Sequence, residues 1–507
     1  MNPTRSAAPV RHGAVTAVVC LALAAVVAAM SSLNVALPDI ARATHASQTQ
    51  LSWIIDAYSL VFASLLLPAG ALGDRYGRRR ALLVGLTIFG AGSAAAMTVS
   101  SPTALIGLRA VIGFGAALVM PATLSTITGT FPPAQRAKAV SVWAGVAGGA
   151  AVIGVLCSGA LLEFYSWRSA FALNVVLAAA AVIGTYLIVP ESADKNAPRL
   201  DLGGAVLSVA GLVALVYSII EAPTAGWLST RTLAGLALGV VILVGFVFYE
   251  LGRTHPMLDP RIFTRRRLSA GAGSVFVQFF AFYGFIFLTL QYLQIVRGDS
   301  PFVAAASMLP MALTMMPSSR LAPKLAGRFG SRRVCATGLV LIAAALAILA
   351  QLDKSSPYLL LAGGLLVLGA GMGAAMTPAT SAITSSLPRA QQGVASAMND
   401  LSREVGGALG IAVLGSIATA IYRSHLSLPF LPAAELDKIK DSFAVAAHLG
   451  GPIATQANSA FVDGIHVALL AAAGAAVLAA VLVLSLLPRR DAPVATDETE
   501  PALAGVS

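Results

Sequence analysis

A chain of 507 residues that is 57% hydrophobic and only 11% charged departs from ordinary soluble domains, in which roughly 25% of residues are charged. Apolar windows of the about 20 residues that a helix needs to cross hydrocarbon recur with no long polar domain between them, which excludes a soluble globular fold. The formal charge of +11 raises nucleic-acid binding as an alternative, and the placement of the basic residues decides it.

In chain order, the apolar windows predict helices near 13–37, 51–72, 81–99, 103–128, 138–162, 168–189, 202–221, 231–250, 268–295, 302–324, 333–351, 357–385, 393–422 and 464–487. The fold class is therefore all-α, a polytopic membrane protein of fourteen transmembrane helices. The first run, His12 to Leu33, follows Arg5 and Arg11. It is too long for a signal-peptide core, lacks a small-residue cleavage site and leads into a second span, so it reads as an uncleaved first helix. Cys20, Cys157 and Cys335 lie in or beside apolar runs without metal or disulfide spacing and read as packing residues. With the N-terminus inside, the alternating loops and helix ends hold 23 Lys and Arg inside and 8 outside, and Arg109 and Arg403 fall within spans. The positive-inside rule then places both termini in the cytoplasm. Topology explains the basic balance, and nucleic acid drops out as a partner. "RIFTRRRL", Arg261 to Leu268, becomes a cytoplasmic juxtamembrane segment that reads as a topology anchor.

An internal copy suggests duplication. "GALGDRYGRRRAL" (Gly70 to Leu82) joins the second and third spans, and "LAPKLAGRFGSRRV" (Leu321 to Val334) joins the tenth and eleventh. Two pseudo-symmetric six-helix bundles follow, at 1–190 and 265–488, with an inserted pair of spans over 191–264 and a cytoplasmic tail over 489–507. Such repeats are typical of secondary transporters, whose substrate sites lie near the bilayer midplane between the halves.

"GALGDRYGRRR" resembles the loop motif of the major facilitator superfamily, G-x-L-x-D-R-x-G-R-R, and matches it at Gly70, Leu72, Asp74, Arg75, Gly77, Arg78 and Arg79. The resemblance implies a gating role for this loop. "LRAVIGFGAA" is similar to the superfamily's R-x-x-x-G-x-G-A element through Arg109 and Gly113, and in the family that arginine is linked to proton coupling. Nearly the whole chain looks like the fourteen-span drug:proton antiporters that include exporters of quaternary ammonium compounds and methyl viologen. "SSLNVALPDIA", "LSWIIDAYSLVFASLLLPAGALGDRYGRR", "SWRSAFALNV" and "NDLSREVGGALGIAVLG" fit that pattern. Asp56 stands where exporters of lipophilic cations often carry an acid. Two positions depart from the pattern. Ala29 replaces an acid of several cation exporters, and "GVLCSG" carries Val155 and Ser158 in place of a proline and a glycine.

Away from the helix ends, the useful inventory of ionisable residues within spans is Asp56, Arg109, Asp400, Arg403 and Glu404. A charged side chain at the bilayer centre costs about 2.5–3.5 kcal/mol on insertion scales, so each must face a partner or a cavity. Asp400, Arg403 and Glu404 share one helical face by their three- and four-residue spacing, and read either as a structural cluster or as a coupling site. Asp56 reads either as an outer-leaflet acid reaching the interface or as negative charge supplied to an outward cavity. Together with Arg109 these residues form the expected proton-coupling set. The expected substrate cavity comprises Asn34, Asp56, Tyr58, Trp143, Gln278, Tyr292 and Glu404. Phe279, Phe280, Phe282 and Tyr283 offer further ring faces for a cation, and "SMLPMALTMMP", Ser307 to Pro317, offers an adaptable methionine wall. The outer segment Arg423 to Asp463 carries no chemical motif.

No P-loop, zinc spacing or catalytic dyad stands out, so ATP-driven transport and enzymatic activity are disfavoured. The expected function is proton-driven multidrug efflux of lipophilic, cationic small molecules from a bacterial cytoplasmic (inner) membrane by alternating access. The protein would work as a monomer among membrane lipids, with the proton gradient as energy source and no cofactor or metal. Two alternatives stay open: a dedicated exporter of an endogenous metabolite or lipid, and a non-transporting membrane receptor or scaffold.

Overall fold

The computed structural model describes residues 12–193, 201–254, 256, 258–387, 392–428, 436 and 439–487, and among them it is helical with no strand. The tail expected over 489–507 lies outside the described residues. The first eight helices are α1 (His12–Thr44), α2 (Gln48–Tyr76), α3 (Arg78–Ala96), α4 (Pro102–Thr130), α5 (Pro133–Phe164), α6 (Arg168–Ile188), α7 (Leu202–Ala225) and α8 (Thr230–Leu251). After a short 3-10 turn at Pro260–Thr264 come α9 (Arg266–Gln291), extended by a π turn at Tyr292–Val296, and α10 (Pro301–Ala306). The remainder are α11 (Leu309–Phe329), α12 (Ser331–Leu349), α13 (Tyr358–Thr384), α14 (Gln392–His425), α15 (Phe443–His448) and α16 (Gly451–Leu486).

Twelve stretches among the described residues are long and apolar enough to cross a membrane. The expected fourteen include two helices that length and composition do not single out: α3, which opens with Arg78, Arg79 and Arg80, and α5, whose apolar stretch is Gly149–Phe164. Helix starts follow local chemistry. Ser47 and Gln50 form a reciprocal capping box at α2, with the Ser47 hydroxyl accepting from the Gln50 N–H at 3.2 Å. That box satisfies donors the helix itself cannot pair.

Two boundaries differ from the sequence reading. The span expected over 302–324 is broken after Ala306, and the chain restarts as α11 with Pro310 in its first turn, where a missing N–H costs nothing. The last span begins at Gly451 instead of near 464. Its polar "TQANS" stretch stays helical because Ala457, Ala460 and Phe461 are buried and Gly464 lets the backbone of Ala418 approach.

Helices α1–α6 pack on one another, with α2 and α3 against α4 and α1 against α5. Helices α9, α11–α14 and α16 form a second group, in which α11 and α12 flank α13 and α14 lies on α9. The α7–α8 pair packs on itself and lays α7 against α2 and α14. At one end of the molecule the two groups are tied together. Gln294 donates to the Val35 carbonyl at 2.8 Å, Ser442 donates to the Ala46 carbonyl at 3.1 Å, and the Phe302 N–H meets the Glu163 carboxylate at 3.4 Å.

Without a hydrophobic drive between helices in lipid, close approach depends on small residues. A Cβ on Gly338 of α12 would sit 2.6 Å from the Ala375 nitrogen, and one on Gly371 of α13 would sit 2.8 Å from the Gly338 carbonyl. Gly363, also on α13, has nothing within 4 Å of such an atom. Gly338→Ala is therefore expected to lower the thermal midpoint of the detergent-solubilised protein, through overpacking of about 1–3 kcal/mol. Gly363→Ala should hold the midpoint or raise it, and equal midpoints for the two variants would refute the close crossing of α12 and α13.

Candidate functional site

The charged turn of α14 is held between glycines. Gly406 and Gly410 admit the backbone of Phe276 and Phe280 of α9, and Gly407 lies under the Tyr283 ring, 2.6 Å from where a Cβ would stand. A larger residue at any of the three would push α9 away from the Arg403–Glu404 pair. Arg403 lies 3.8 Å from Asp400, and its Nε donates to Glu404 Oε1 at 3.2 Å. The guanidinium also sits 5.7 Å from the centre of the Phe279 ring, within cation–π range. Two carboxylates thus share one guanidinium. Asp400 and Arg403 are each 19% exposed, whereas Glu404 is 1% exposed.

Glu404 lines a cleft of about 10 Å³ with Asn34, Tyr283, Ile55 and Ser59, room for at most one water. Its Oε2 has no hydrogen-bond partner among the described residues, and neither does Asn34 Oδ1. The amide nitrogen of Asn34 is spent on the Met30 carbonyl at 3.2 Å. Two acceptor oxygens therefore face one small space, an arrangement that a proton or a cationic donor would complete.

Asn34 and Tyr283 also line a second cavity of about 80 Å³ between the two helix groups. Val152 and Val155 of α5, Phe282 and Ile286 of α9, and Met308 and Met311 form its apolar wall. Val155, one of the two departures from the antiporter pattern, thus contributes to the lining. The other, Ser158, donates to the Ser32 carbonyl of α1 at 2.9 Å, one turn beyond the contact of Gly154 with Ala28. The methionine stretch contributes to the wall as its composition suggested. Drug-sized ligands occupy pockets of roughly 300–1,000 Å³, so this cavity is contracted.

The other expected residues lie elsewhere. Asp56 is fully buried, lines neither cavity, and has both carboxylate oxygens unpartnered among the described residues. It sits midway along an α2 ridge at four-residue spacing. Ser52 at one end faces Gly415 of α14, and Leu60 at the other packs with Val216, Ile219 and Ile220 of α7 and Ala412 of α14. Expected either to reach the interface or to face an outward cavity, Asp56 is in this structure buried at a three-way helix seam. The reason is packing, because α7 and α14 close on the same ridge of α2.

Arg109 is 1% exposed, and its Nε donates to the Ile54 carbonyl at 2.8 Å. Its guanidinium lies 4.3 Å from the centre of the Tyr58 ring, and Tyr58 donates to the Val26 carbonyl at 3.2 Å. The two terminal nitrogens of Arg109 have no partner among the described residues. Tyr58 is thereby a packing and cation–π partner, not a wall of either cavity. Trp143 donates to Thr123 at 3.0 Å, Gln278 to Ser274 at 3.0 Å, and Tyr292 to the Asp353 carbonyl at 2.7 Å. None of these three lines either cavity. Of the expected cavity set, the structure brings Asn34 and Glu404 together.

The loop motif is built as a hairpin. Gly77 joins α2 to α3 at φ 120°, Asp74 accepts from Arg78 Nε at 2.8 Å, and Gly70 packs on Pro121 of α4. Arg75 lies beside the Tyr76 ring. A residue that sequence reasoning did not include completes it. Glu191, just beyond α6, accepts from the Arg79 N–H at 3.2 Å and lies 3.6 Å from Arg80, while Arg79 donates to the Tyr186 carbonyl at 2.6 Å. No local signal in "VPESAD" marks this role, because the partner lies more than a hundred residues away.

Long apolar helices in two packed groups, with unpaired buried acceptors where the groups meet, define a multi-pass membrane transporter. The Major Facilitator Superfamily profile matches residues 19–411, and the chain belongs to that superfamily. It is 35% identical over 495 residues to the multidrug efflux pump LfrA of Mycolicibacterium smegmatis, covering 96% of each chain. It is also 35% identical over 434 residues to the methyl viologen resistance protein SmvA of Salmonella typhimurium, covering 85% of this chain and 88% of that one. The fold matches the inward-facing, unoccupied structure of a bacterial homologue of the human lysosomal transporter Spinster. The TM-score is 0.68 at 17% identity, over 96% of this chain and all of that one.

A Cβ at Gly77 would stand 2.5 Å from a Glu191 carboxylate oxygen, in a backbone region costly for any side chain. Gly77→Ala is expected to lower thermal stability by about 1–3 kcal/mol through strain and clash together. Glu191→Ala relieves the clash but also removes the contacts with Arg79 and Arg80, so the penalty of Gly77→Ala should be smaller when measured in a Glu191→Ala background than in wild type. An equal penalty for Gly77→Ala in the two backgrounds would rule out the contact of Gly77 with Glu191.

Proposed function

We propose that this protein is a proton-driven multidrug efflux transporter that exports lipophilic, cationic small molecules from the cytoplasm by alternating access. The observation that carries the reading is the Glu404 carboxylate, buried beside Asn34, with one oxygen held by Arg403 and the other free at the junction of the two helix groups. Asp400 and Glu404 together carry one more negative charge than Arg403 neutralises when all three are ionised. In a low-dielectric site that excess is costly unless a proton or a cation compensates it. Competition of the two cations for one carboxylate couples them in opposite directions, which is antiport. The methionine and aromatic wall of the contracted cavity suits lipophilic bodies of varied shape, once α5 and α11 part to enlarge it. The relatives named for multidrug efflux and for methyl viologen resistance support the substrate class.

In this reading fourteen helices span a bacterial inner membrane, with α3 and α5 among them and both termini cytoplasmic. Residues 1–190 and 265–488 form the two bundles, 191–264 the inserted pair and 489–507 the tail, and one copy suffices for transport. Arg109 and Asp56 belong to the coupling set. Arg109 keeps two nitrogens uncommitted at the α2–α4 contact, and Asp56 ionises or protonates at the seam with α7. The Gly70–Arg79 hairpin, pinned by Glu191, gates the cytoplasmic side.

A second reading, dedicated export of an endogenous metabolite or lipid, is favoured by Ala29, which stands in α1 where several cation exporters carry an acid, and by the almost wholly apolar cavity wall. Substrate-dependent proton release from purified protein separates the two, because cationic dyes should trigger it and neutral compounds should not. In inverted vesicles under an imposed pH gradient, wild-type protein should accumulate a quaternary ammonium dye. Glu404→Gln and Asp56→Asn should abolish that accumulation at unchanged expression. Full flux in both variants would remove both residues from coupling, and no flux in wild type would favour a scaffold.

A further inference from the structure

Where α9 and α12 begin and α13 and α16 end, the helices leave a groove of about 530 Å³ on the side of the molecule to which the basic loops belong. Arg265, Arg266, Arg267 and Arg332 line it, with Ser385 and Ser485 across from them, and no carboxylate lines it among the described residues. Arg265 donates to the Ser386 carbonyl at the end of α13, a bond that positions its guanidinium but cancels none of its charge. The guanidinium groups of Arg265, Arg266 and Arg332 gathered in one groove repel one another, and an anion placed among them relieves that repulsion. The planar fork of arginine matches the oxygens of a phosphate group.

The floor of the groove identifies the source of that phosphate. Leu486 and Leu487 close it at the end of α16, the depth at which a spanning helix leaves hydrocarbon. Immediately below, α16 turns an apolar strip outward: Leu478 is 71% exposed, Val481 59% and Leu482 41%. A headgroup seated among the arginines would lay its acyl chains along that strip, whereas a free phosphate has no use for it.

We propose that this groove binds the headgroup of an anionic phospholipid. The arginines take the phosphate, the serine hydroxyls take polar headgroup atoms, and the exposed face of α16 takes the chains. All four helices belong to the second group, so the lipid staples that group at its basic end. The assignment rests on the proposed topology only for the choice of the cytoplasmic leaflet.

The test uses the purified full-length protein in detergent. It is titrated with phosphatidylglycerol, with phosphatidylcholine of the same acyl composition, and with inorganic phosphate, and followed by native mass spectrometry and thermal unfolding. Phosphatidylglycerol should be retained and should raise the melting midpoint, less so at high salt, and phosphatidylcholine should do neither. The pair Arg266→Gln/Arg332→Gln should weaken retention by on the order of tenfold or more. The pair Arg320→Gln/Arg328→Gln, exposed outside the groove with the same change in charge, should bind as wild type does. If the groove pair fails to fold, Ser485→Asp, at an exposed position, places a carboxylate among the arginines and should give the same loss. Undiminished retention in the groove variants overturns the proposal, as does phosphatidylglycerol displaced by millimolar inorganic phosphate.

Discussion

The arrangement depends on the cost of keeping ionised groups away from water. Asp400, Arg403 and Glu404 occupy one turn and a half of a membrane-spanning helix, and lipid cannot solvate them. The turn is tolerable because α14 lies at the meeting of the two helix groups, where Arg403 reaches both acids and a cleft rather than lipid meets Glu404. Stability and function make opposite demands on it. In the proposed mechanism a fully satisfied cluster would be inert, and the unpartnered Glu404 oxygen is the place for a proton or a cation.

Small residues make that placement possible. Gly406, Gly407 and Gly410 bring α9 against α14 closely enough for Tyr283 to cover the acid, and Gly113 brings the backbone of α2 at Tyr58 against α4. The same device recurs where α12 crosses α13 at Gly338 and Gly371. Each approach trades side-chain volume for backbone proximity, so the bundles are rigid where these glycines lie. At one end the groups are linked by Gln294, Ser442 and Glu163. At the other, the Gly77 hairpin ties its own group together through Glu191. A transporter that alternates access must break the first set of links as whole helix groups rotate.

The α7–α8 pair bears on this directly. Through its packing on Leu60, α7 helps make the α2 ridge that carries Asp56 a packed seam of three helices, and Asp56 is fully buried there. Among the described residues Asp56 has no ion-pair partner, unlike Glu404, which pairs with Arg403.

Much of this was readable before any coordinates. Apolar windows located the helices, since lipid demands uninterrupted length. The loop arginines implied an orientation, and three- and four-residue spacing put Asp400, Arg403 and Glu404 on one face, because helical periodicity is a local property. The loop motif carried the superfamily with it. Other features lay beyond such reasoning. The contact of Glu191 with Arg79, the burial of Asp56 under α7, the retreat of Tyr58, Trp143, Gln278 and Tyr292 from the cavities, and the convergence of Arg265–Arg267 with Arg332 all join residues remote in sequence. Local pattern reports which face of a helix is polar. Only the packing of one helix on another decides what that face meets.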